Sequence, residues 1–382
     1  MIQYGRQSIH EDDIQSVVTT LESDFLTTGP QVAAFEKKIS QLMDIPFTIA
    51  VNNATFALHI AVLALSEEKG FKGITTPITF AASANCILYN GGELNLIDVS
   101  PNKPHLDLNL LEDYLKKNSV DIVVPVSFAG LAFDLPKLSR LSEKYGFKII
   151  EDASHAFGTT YTINNQKFYS GSCHHSDIGV YSFHPIKNIT TAEGGLICTR
   201  DERIYKKLLA LRNHGIYKEQ NPNPHFYNIK HLGFNGRLSD IHAALGITQL
   251  SKLFDYKERR TLIAKKYQEA FSSLENISCI QWDNNKESPF FHIYPIQIDS
   301  FQTKIALINF LTEKGIGTQT HYVPIHYHDH FKGHLKNLNL PNSESYYETC
   351  LTLPIFPLLK EEEQSFIIDS VFEFFKSTRL NI

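Results

Sequence analysis

Cysteine is scarce and poorly spaced for structural chemistry. Five occur in 382 residues, Cys86, Cys173, Cys198, Cys279 and Cys350, with no CxxC pair among them. That pattern excludes a disulfide framework and a finger-type zinc site. Positive charge is not in excess either: Lys+Arg number 36 against 41 Asp+Glu, for a net charge of -5. No broad basic surface is therefore expected to bind nucleic acid or an anionic membrane. No run approaches the ~20 apolar residues of a membrane helix, and Met1-Ile2-Gln3-Tyr4-Gly5-Arg6 lacks the basic region and apolar core of a signal peptide. A cytoplasmic protein is expected. Histidine is plentiful at 17. Neither His174-His175 nor His326 and His328 with Asp329 and His330 forms a defined ligand set with a second shell, so no metal site is expected.

What is present is a chain long enough for two domains, the larger with a substantial core. Glu11 to Leu21 and Gln31 to Met43 read as amphipathic helices on either side of a Thr27-Thr28-Gly29-Pro30 break. Strands then alternate with helices: strands at Phe47 to Val51, Gly73 to Thr76, Glu93 to Asp98, Ile122 to Val126 and Lys148 to Glu151, with helices at Phe56 to Leu65, Ala81 to Asn90, Leu110 to Lys117 and Leu135 to Tyr145. Alternation of this kind predicts an α/β fold with a mostly parallel sheet covered on both faces, and ligands beyond the strands' carboxyl ends. A charged helix from Leu253 to Ser272 leads out of this region. Beyond it, strands at Ser288 to Asp299 and Gly317 to Val323 and helices at Lys304 to Lys314 and Glu361 to Phe375 read as a separate α+β unit. The expected domains are 1–250, including the N-terminal segment, and 251–382.

The segment Ser182-Phe183-His184-Pro185-Ile186-Lys187, followed by Asn188-Ile189-Thr190-Thr191-Ala192-Glu193-Gly194-Gly195, is the first place to look for chemistry, the plain alternative being a surface lysine in a loop. It sets an amine among hydroxyls and a histidine ahead of a Gly-Gly turn. A lysine forms an imine only when neutral, so such a residue needs a partly buried, charge-tuned site. Pyridoxal 5'-phosphate is the cofactor that most often uses this arrangement. Two upstream elements fit it. Asn52-Asn53-Ala54-Thr55 stands between a strand and a helix, where free N–H groups and the helix dipole favour a phosphate; the plain alternative is an ordinary cap by Asn53 or Thr55. Glu151-Asp152 ends an apolar strand, where Asp152 could hold a pyridinium nitrogen by a charge-assisted hydrogen bond, or simply serve as a turn residue.

Taken in order, Thr27-Thr28-Gly29-Pro30, Asn53-Ala54-Thr55, Glu151-Asp152-Ala153-Ser154-His155-Ala156, Ser182 to Lys187, Glu193-Gly194-Gly195, Arg212-Asn213-His214-Gly215 and Gly233-Phe234-Asn235-Gly236-Arg237 resemble the DegT/DnrJ/EryC1/StrS sugar aminotransferases, fold-type I pyridoxal-phosphate enzymes. Thr75-Thr76-Pro77-Ile78-Thr79-Phe80, Phe128-Ala129-Gly130, Ile189 to Gly195, Ala244 to Leu250 and His321-Tyr322-Val323-Pro324-Ile325 look most like the pseudaminic-acid branch of that family. The nearest rival branch makes UDP-4-amino-4-deoxy-L-arabinose.

The resemblance implies a role for each matched residue. Lys187 would bind the cofactor covalently and shuttle the proton of the reaction. Asp152 would hold the pyridine nitrogen, and Ala54, Thr55 and Ser182 the phosphate, with Phe80 stacked on the ring. His155 would stand beside the phenolic oxygen, and Asn235 would reach the phosphate from a neighbouring subunit. Tyr4, Leu26, Thr27, His184, Gln319, Thr320, His321 and Tyr322 would contact the nucleotide sugar. Two departures from the family pattern lie near the cofactor, Asn52-Asn53 for the commoner Asn-Ser and Gly236 for an aromatic residue. The implied reaction moves the amino group of L-glutamate, leaving 2-oxoglutarate, to C4 of a UDP-4-keto-6-deoxy-N-acetylhexosamine, in a homodimer with active sites at the subunit interface. A sugar dehydratase on the same scaffold would replace the lysine by histidine, so Lys187 speaks against it. A regulatory protein that merely kept the fold would have no use for the Lys187, Asp152 and Ser182 set.

Overall fold

The computed structural model describes residues 1–66, 70–101, 103–335 and 338–379. Its centre is a seven-stranded sheet in the spatial order Phe47–Val51, Gly195–Thr199, Ile178–Ser182, Lys148–Asp152, Ile122–Val124, Lys72–Thr75, Glu93–Leu96. Gly195–Thr199 runs antiparallel to both its neighbours and every other pair is parallel. The fold is thus α/β with a mostly parallel sheet, as the alternating pattern predicts, made mixed by this one strand. One antiparallel strand has a consequence for the site: it lets the chain double back from Ser182 to Gly195 through a connection that carries Lys187. The six co-directional strands end together, so Val51, Asp152 and Ser182 share one edge.

The helix Ala54–Leu65 packs against this sheet. Ala57, Leu58, Ile60, Ala61, Val62 and Ala64 are all buried, so it is apolar on every face. Asn53 caps it by accepting from Phe56 N–H at 2.8 Å, worth about 1 kcal/mol. Its close seat on the sheet depends on Gly195, where a Cβ would come within 2.6 Å of the Asn53 carbonyl carbon and 2.7 Å of Ala54 N. Gly236 has a similar role. A Cβ there would meet the Phe56 ring at 1.8 Å, so Phe56 occupies the room a larger residue at 236 would need.

Beyond the helix Leu253–Phe271, the strands Ile277–Cys279, Tyr294–Ile298 and Cys350–Leu353 form an antiparallel sheet. It shares a core with the helices Phe301–Glu313 and Glu361–Arg379, with Leu131 from the larger unit buried in it and Ile2 packed at its margin. The N-terminal segment is sewn onto this unit: Ile2 N–H donates to Gly315 at 2.8 Å, Gly317 N–H to Ile2 at 2.7 Å and Ile355 N–H to Tyr4 at 3.0 Å.

Two expected strands differ. Gly317 to Val323 makes only an isolated bridge, Gln319 to Thr352. Glycines at 315 and 317 and the proline at 324 bend the segment, and Gln319 to Val323 form a cavity wall instead of a ladder. The strand expected from Ser288 begins at Tyr294. Before it, Phe290 to His292 spend their backbone groups on Thr159, Asn188, Ala129 and Arg260.

Candidate active site

At the shared strand edge opens a cavity of about 610 Å³, lined among others by Tyr4, Ala54, Thr55, Phe80, Asp152, His155, Ser182, His184, Lys187 and Gln319 to Tyr322. Thirteen of the sixteen residues expected at the site are therefore in one place. Leu26, Thr27 and Asn235 are the exceptions. All three are exposed and outside the lining of this chain's own cavity. The loop holding Leu26 and Thr27 is pinned elsewhere, because the buried Asp240 carboxylate accepts from Gly29 and Gln31 N–H at 2.7 Å each. Asn235 pairs with Asn213 in an isolated bridge.

Asp152 ends its strand facing the cavity, whereas Glu151 points to the other face. The Asp152 carboxylate accepts from Ser83 Oγ at 2.6 Å and Ser154 N–H at 3.1 Å, and Thr79 Oγ1 stands 2.7 Å behind Ser83. A buried carboxylate with its hydrogen bonds met in this way can hold a cationic nitrogen. Glu151 is bound by Ser127 Oγ and Gly171 N–H, both at 2.6 Å, and burial lifts its carboxyl to about 7.

Lys187 keeps some accessible surface, yet it is enclosed enough that burial pulls its amine down to about 8, against the opposing pull of Asp152. A usable fraction is then neutral near physiological pH, as imine chemistry needs. Its Nζ lies 3.4 Å from His292 Nε2. Ala129 N–H donates to His155 Nδ1 at 3.4 Å, which leaves the ring proton on Nε2 to donate to the Tyr322 oxygen at 2.9 Å. His321 Nδ1 stands 2.8 Å from Thr352 Oγ1, and burial with the charge of Lys187 pulls its ring to about 3. These rings are neutral hydrogen-bonding groups, not acids.

The helix Ala54–Leu65 opens onto the same cavity. Asn53 takes the Phe56 N–H, leaving those of Ala54 and Thr55 to an anion beside the Ser182 hydroxyl. Phe80, 60% exposed, stands at the mouth with its centroid 6.2 Å from that of Tyr322. An anion seat, a buried carboxylate, a softened lysine and an aromatic face together fit pyridoxal 5'-phosphate. Among the described residues no group of three or more His, Cys, Asp or Glu could hold a metal ion.

Sequence reasoning missed Ser83, Thr79 and His292. Ser83 and Thr79 sit in a loop and helix start with nothing local to link them to Asp152. His292 lies 105 residues beyond Lys187 inside an apolar run, and no sequence signal marks it.

Comparison with known proteins agrees with this geometry. Residues 7–372 match the DegT/DnrJ/EryC1/StrS aminotransferase family. A UDP-4-amino-4,6-dideoxy-N-acetyl-beta-L-altrosamine transaminase of Campylobacter jejuni subsp. jejuni serotype O:23/36 (strain 81-176) is 34% identical over 383 residues, covering 99% of each chain. Helicobacter pylori PseC, an aminotransferase involved in the biosynthesis of pseudoaminic acid, superposes with a TM-score of 0.90 at 28% identity, over 98% of this chain and 99% of its own. Spr1654 of Streptococcus pneumoniae in its PLP-form superposes with a TM-score of 0.90 at 26% identity, over 98% and 99% of the two chains.

Proposed function

The chain belongs to the DegT/DnrJ/EryC1/StrS aminotransferase family and is a pyridoxal 5'-phosphate-dependent transaminase, and we propose that it transfers the amino group of L-glutamate to C4 of UDP-2-acetamido-2,6-dideoxy-β-L-arabino-hex-4-ulose. The product would be UDP-4-amino-4,6-dideoxy-N-acetyl-β-L-altrosamine, a step of pseudaminic acid biosynthesis. The observation that carries this reading is the convergence of Lys187, Asp152 and the Ala54–Thr55 turn on one cavity, in a chain 34% identical over its length to a transaminase of that name.

When bound, the cofactor supplies an aldehyde carbon that takes up the amino group and a ring that withdraws electrons. The protein's part is to hold and to move protons. Asp152, with one oxygen fixed by Ser83 and the other by Ser154 N–H, keeps the proton on the ring nitrogen. Ala54 and Thr55 N–H with Ser182 Oγ would seat the phosphate at the helix N-terminus. Lys187 Nζ, softened to about 8, takes the proton from the donor's α-carbon and later delivers one to sugar C4. His155, whose Nε2–H is shared with Tyr322, would stand beside the ring's phenolic oxygen. Donor and acceptor use one cavity in turn, so the kinetics are ping-pong.

The sugar nucleotide would lie along Tyr4, His184 and Gln319 to Tyr322. Leu26, Thr27 and Asn235, which miss their own cavity, would serve that of a second copy in a homodimer. The segment before Asn235 supports this, since Phe226, Tyr227, Ile229 and Leu232 are exposed, Leu232 by 85%. The cytoplasm is expected as the compartment on sequence grounds alone.

The test offers L-glutamate with each of two substrates separately: the acetamido 4-ketone named above and the UDP-4-keto pentose of the arabinose branch. Turnover of the first, giving a C4 amine whose configuration NMR assigns as that of the altrosamine product, supports the proposal; the other C4 epimer would contradict it. Preference for the pentose would refute it.

A further inference from the structure

Lys187 has one side-chain neighbour with no part in the functions assigned above. His292 is 2% exposed, and its Nε2 stands 3.4 Å from Lys187 Nζ. Its Nδ1 is buried without a hydrogen-bond partner among the described residues. A histidine kept only for packing has no reason to leave a ring nitrogen unsatisfied, and a hydrocarbon would fill that place at less cost.

The backbone that presents this ring is fixed from four directions. Phe290 N–H donates to Thr159 Oγ1 at 2.9 Å, and Asn188 Nδ2, next in sequence to Lys187, donates to the Phe290 carbonyl at 2.9 Å. The buried Arg260 donates to the His292 carbonyl at 2.9 Å. His292 N–H donates to the Ala129 carbonyl at 3.2 Å. Ala129 thereby serves two rings, since its N–H also reaches His155 Nδ1. The turn Phe128-Ala129-Gly130 can approach this closely only with glycine at 130, where φ is +88° and a Cβ would lie 2.1 Å from the Phe290 carbonyl oxygen. The ring of His292 is then set with its centroid 4.4 Å from that of His155.

We infer that His292 is a positioning residue for Lys187: its Nε2 accepts a hydrogen bond from Nζ and holds the amine on the cavity side whenever no bond joins it to the cofactor. The Phe128–Gly130 turn and Asn188 hold the lysine's loop against the segment that carries the histidine, just before the strand Tyr294–Ile298. The titratable and charged groups that act on the pair are Asp152 on Lys187 and His155, His321 and Arg260 on His292, with Tyr322 hydrogen-bonded to His155. Burial and the nearby positive charges of Lys187 and Arg260 hold the His292 ring neutral, as an acceptor must be. The inference rests on Lys187 being the cofactor-binding lysine.

The test strips the enzyme of cofactor and follows, across pH, the rate at which wild type, His292→Phe and His292→Gln form a borohydride-reducible adduct with added pyridoxal 5'-phosphate. Glutamine brings an amide oxygen to about the place of Nε2 and is expected to keep the wild-type profile. Phenylalanine keeps the bulk and removes the acceptor. The apparent pKa of capture should fall by about one unit, the tenfold that a hydrogen bond to a charged group is worth, and the plateau rate should fall with it. Identical profiles for wild type and His292→Phe would overturn the inference, as would equal damage in the phenylalanine and glutamine variants. If His292→Phe does not fold, Lys187→Met reads the same contact by ¹⁵N NMR of the imidazole: an unmoved His292 Nε2 resonance overturns it. Failure of wild type itself to form an adduct at Lys187 would instead refute the assignment of the cofactor lysine.

Discussion

Ser83 Oγ lies 2.6 Å from Asp152 Oδ2, and Thr79 Oγ1 lies 2.7 Å behind it, so the carboxylate that faces the cavity is held by a two-hydroxyl chain from outside its own strand. The chain fixes which way Asp152 points and lowers the cost of keeping it charged while buried.

Ser83→Ala should therefore weaken the cofactor site without emptying it. One hydrogen bond to a charged group is worth about 1.5–3 kcal/mol, so cofactor affinity is expected to fall roughly tenfold or more. Equilibrium dialysis of the holoenzyme measures this, and an unchanged affinity would show that Asp152 needs no such support.

Gly195→Ala tests the seat of the phosphate. The new Cβ would fall 2.6 Å from the Asn53 carbonyl carbon, and overpacking of this order costs about 1–3 kcal/mol. The helix start must shift. Affinity for pyridoxal 5'-phosphate should drop more than affinity for phosphate-free pyridoxal, and an equal drop for both would place the phosphate elsewhere.

The stretch from Phe47 to Asp152 was legible because each strand is a short apolar run and each helix carries its own period or cap. Ile178–Ser182 and Gly195–Thr199, the strands that flank Lys187, were not read as strands. Both are buried at every position, so neither alternates, and glycine interrupts one and opens the other. Of the site, the residues within local motifs were readable: Lys187 and Ser182 in one, Asp152 and His155 in another, Ala54 and Thr55 in a third. His292 and Ser83 were not, because only the tertiary fold brings them to Lys187 and Asp152. The Gln319 to Tyr322 segment was placed at the site by resemblance while its conformation was misjudged, since a strand-like sequence was bent by its flanking glycines and proline.

Stability should carry the signature of Glu151, whose carboxyl is raised from 4.5 to about 7 by burial. The native state binds its proton more tightly than the unfolded chain, so this contribution is fully present below 4.5 and is lost as pH rises through about 7. Between these values wild type is expected to lose up to about 3 kcal/mol relative to Glu151→Gln. Urea unfolding at several pH values checks the slope, and parallel curves for the two proteins would contradict it.

The proposed homodimer is tested through Asn235. If Asn235 serves the partner's cavity, a mixed dimer of Lys187→Ala and Asn235→Ala chains contains one complete site, formed by the second chain's lysine and the first chain's asparagine. Mixing the two variants should restore activity that neither shows at full strength alone. No restoration on mixing would place Asn235 in its own chain's site or outside function.

The most direct test of the account follows nitrogen. Wild type and Lys187→Ala are incubated with ¹⁵N-labelled L-glutamate and the acetamido 4-ketone, and the sugar nucleotide is examined by mass spectrometry and ¹⁵N-edited NMR. Wild type is expected to place one ¹⁵N on C4 for each 2-oxoglutarate released, and folded Lys187→Ala to place none. Consumption of the ketone without nitrogen incorporation, or label on C4 from Lys187→Ala, would contradict the assignment of Lys187 and this cavity to transamination.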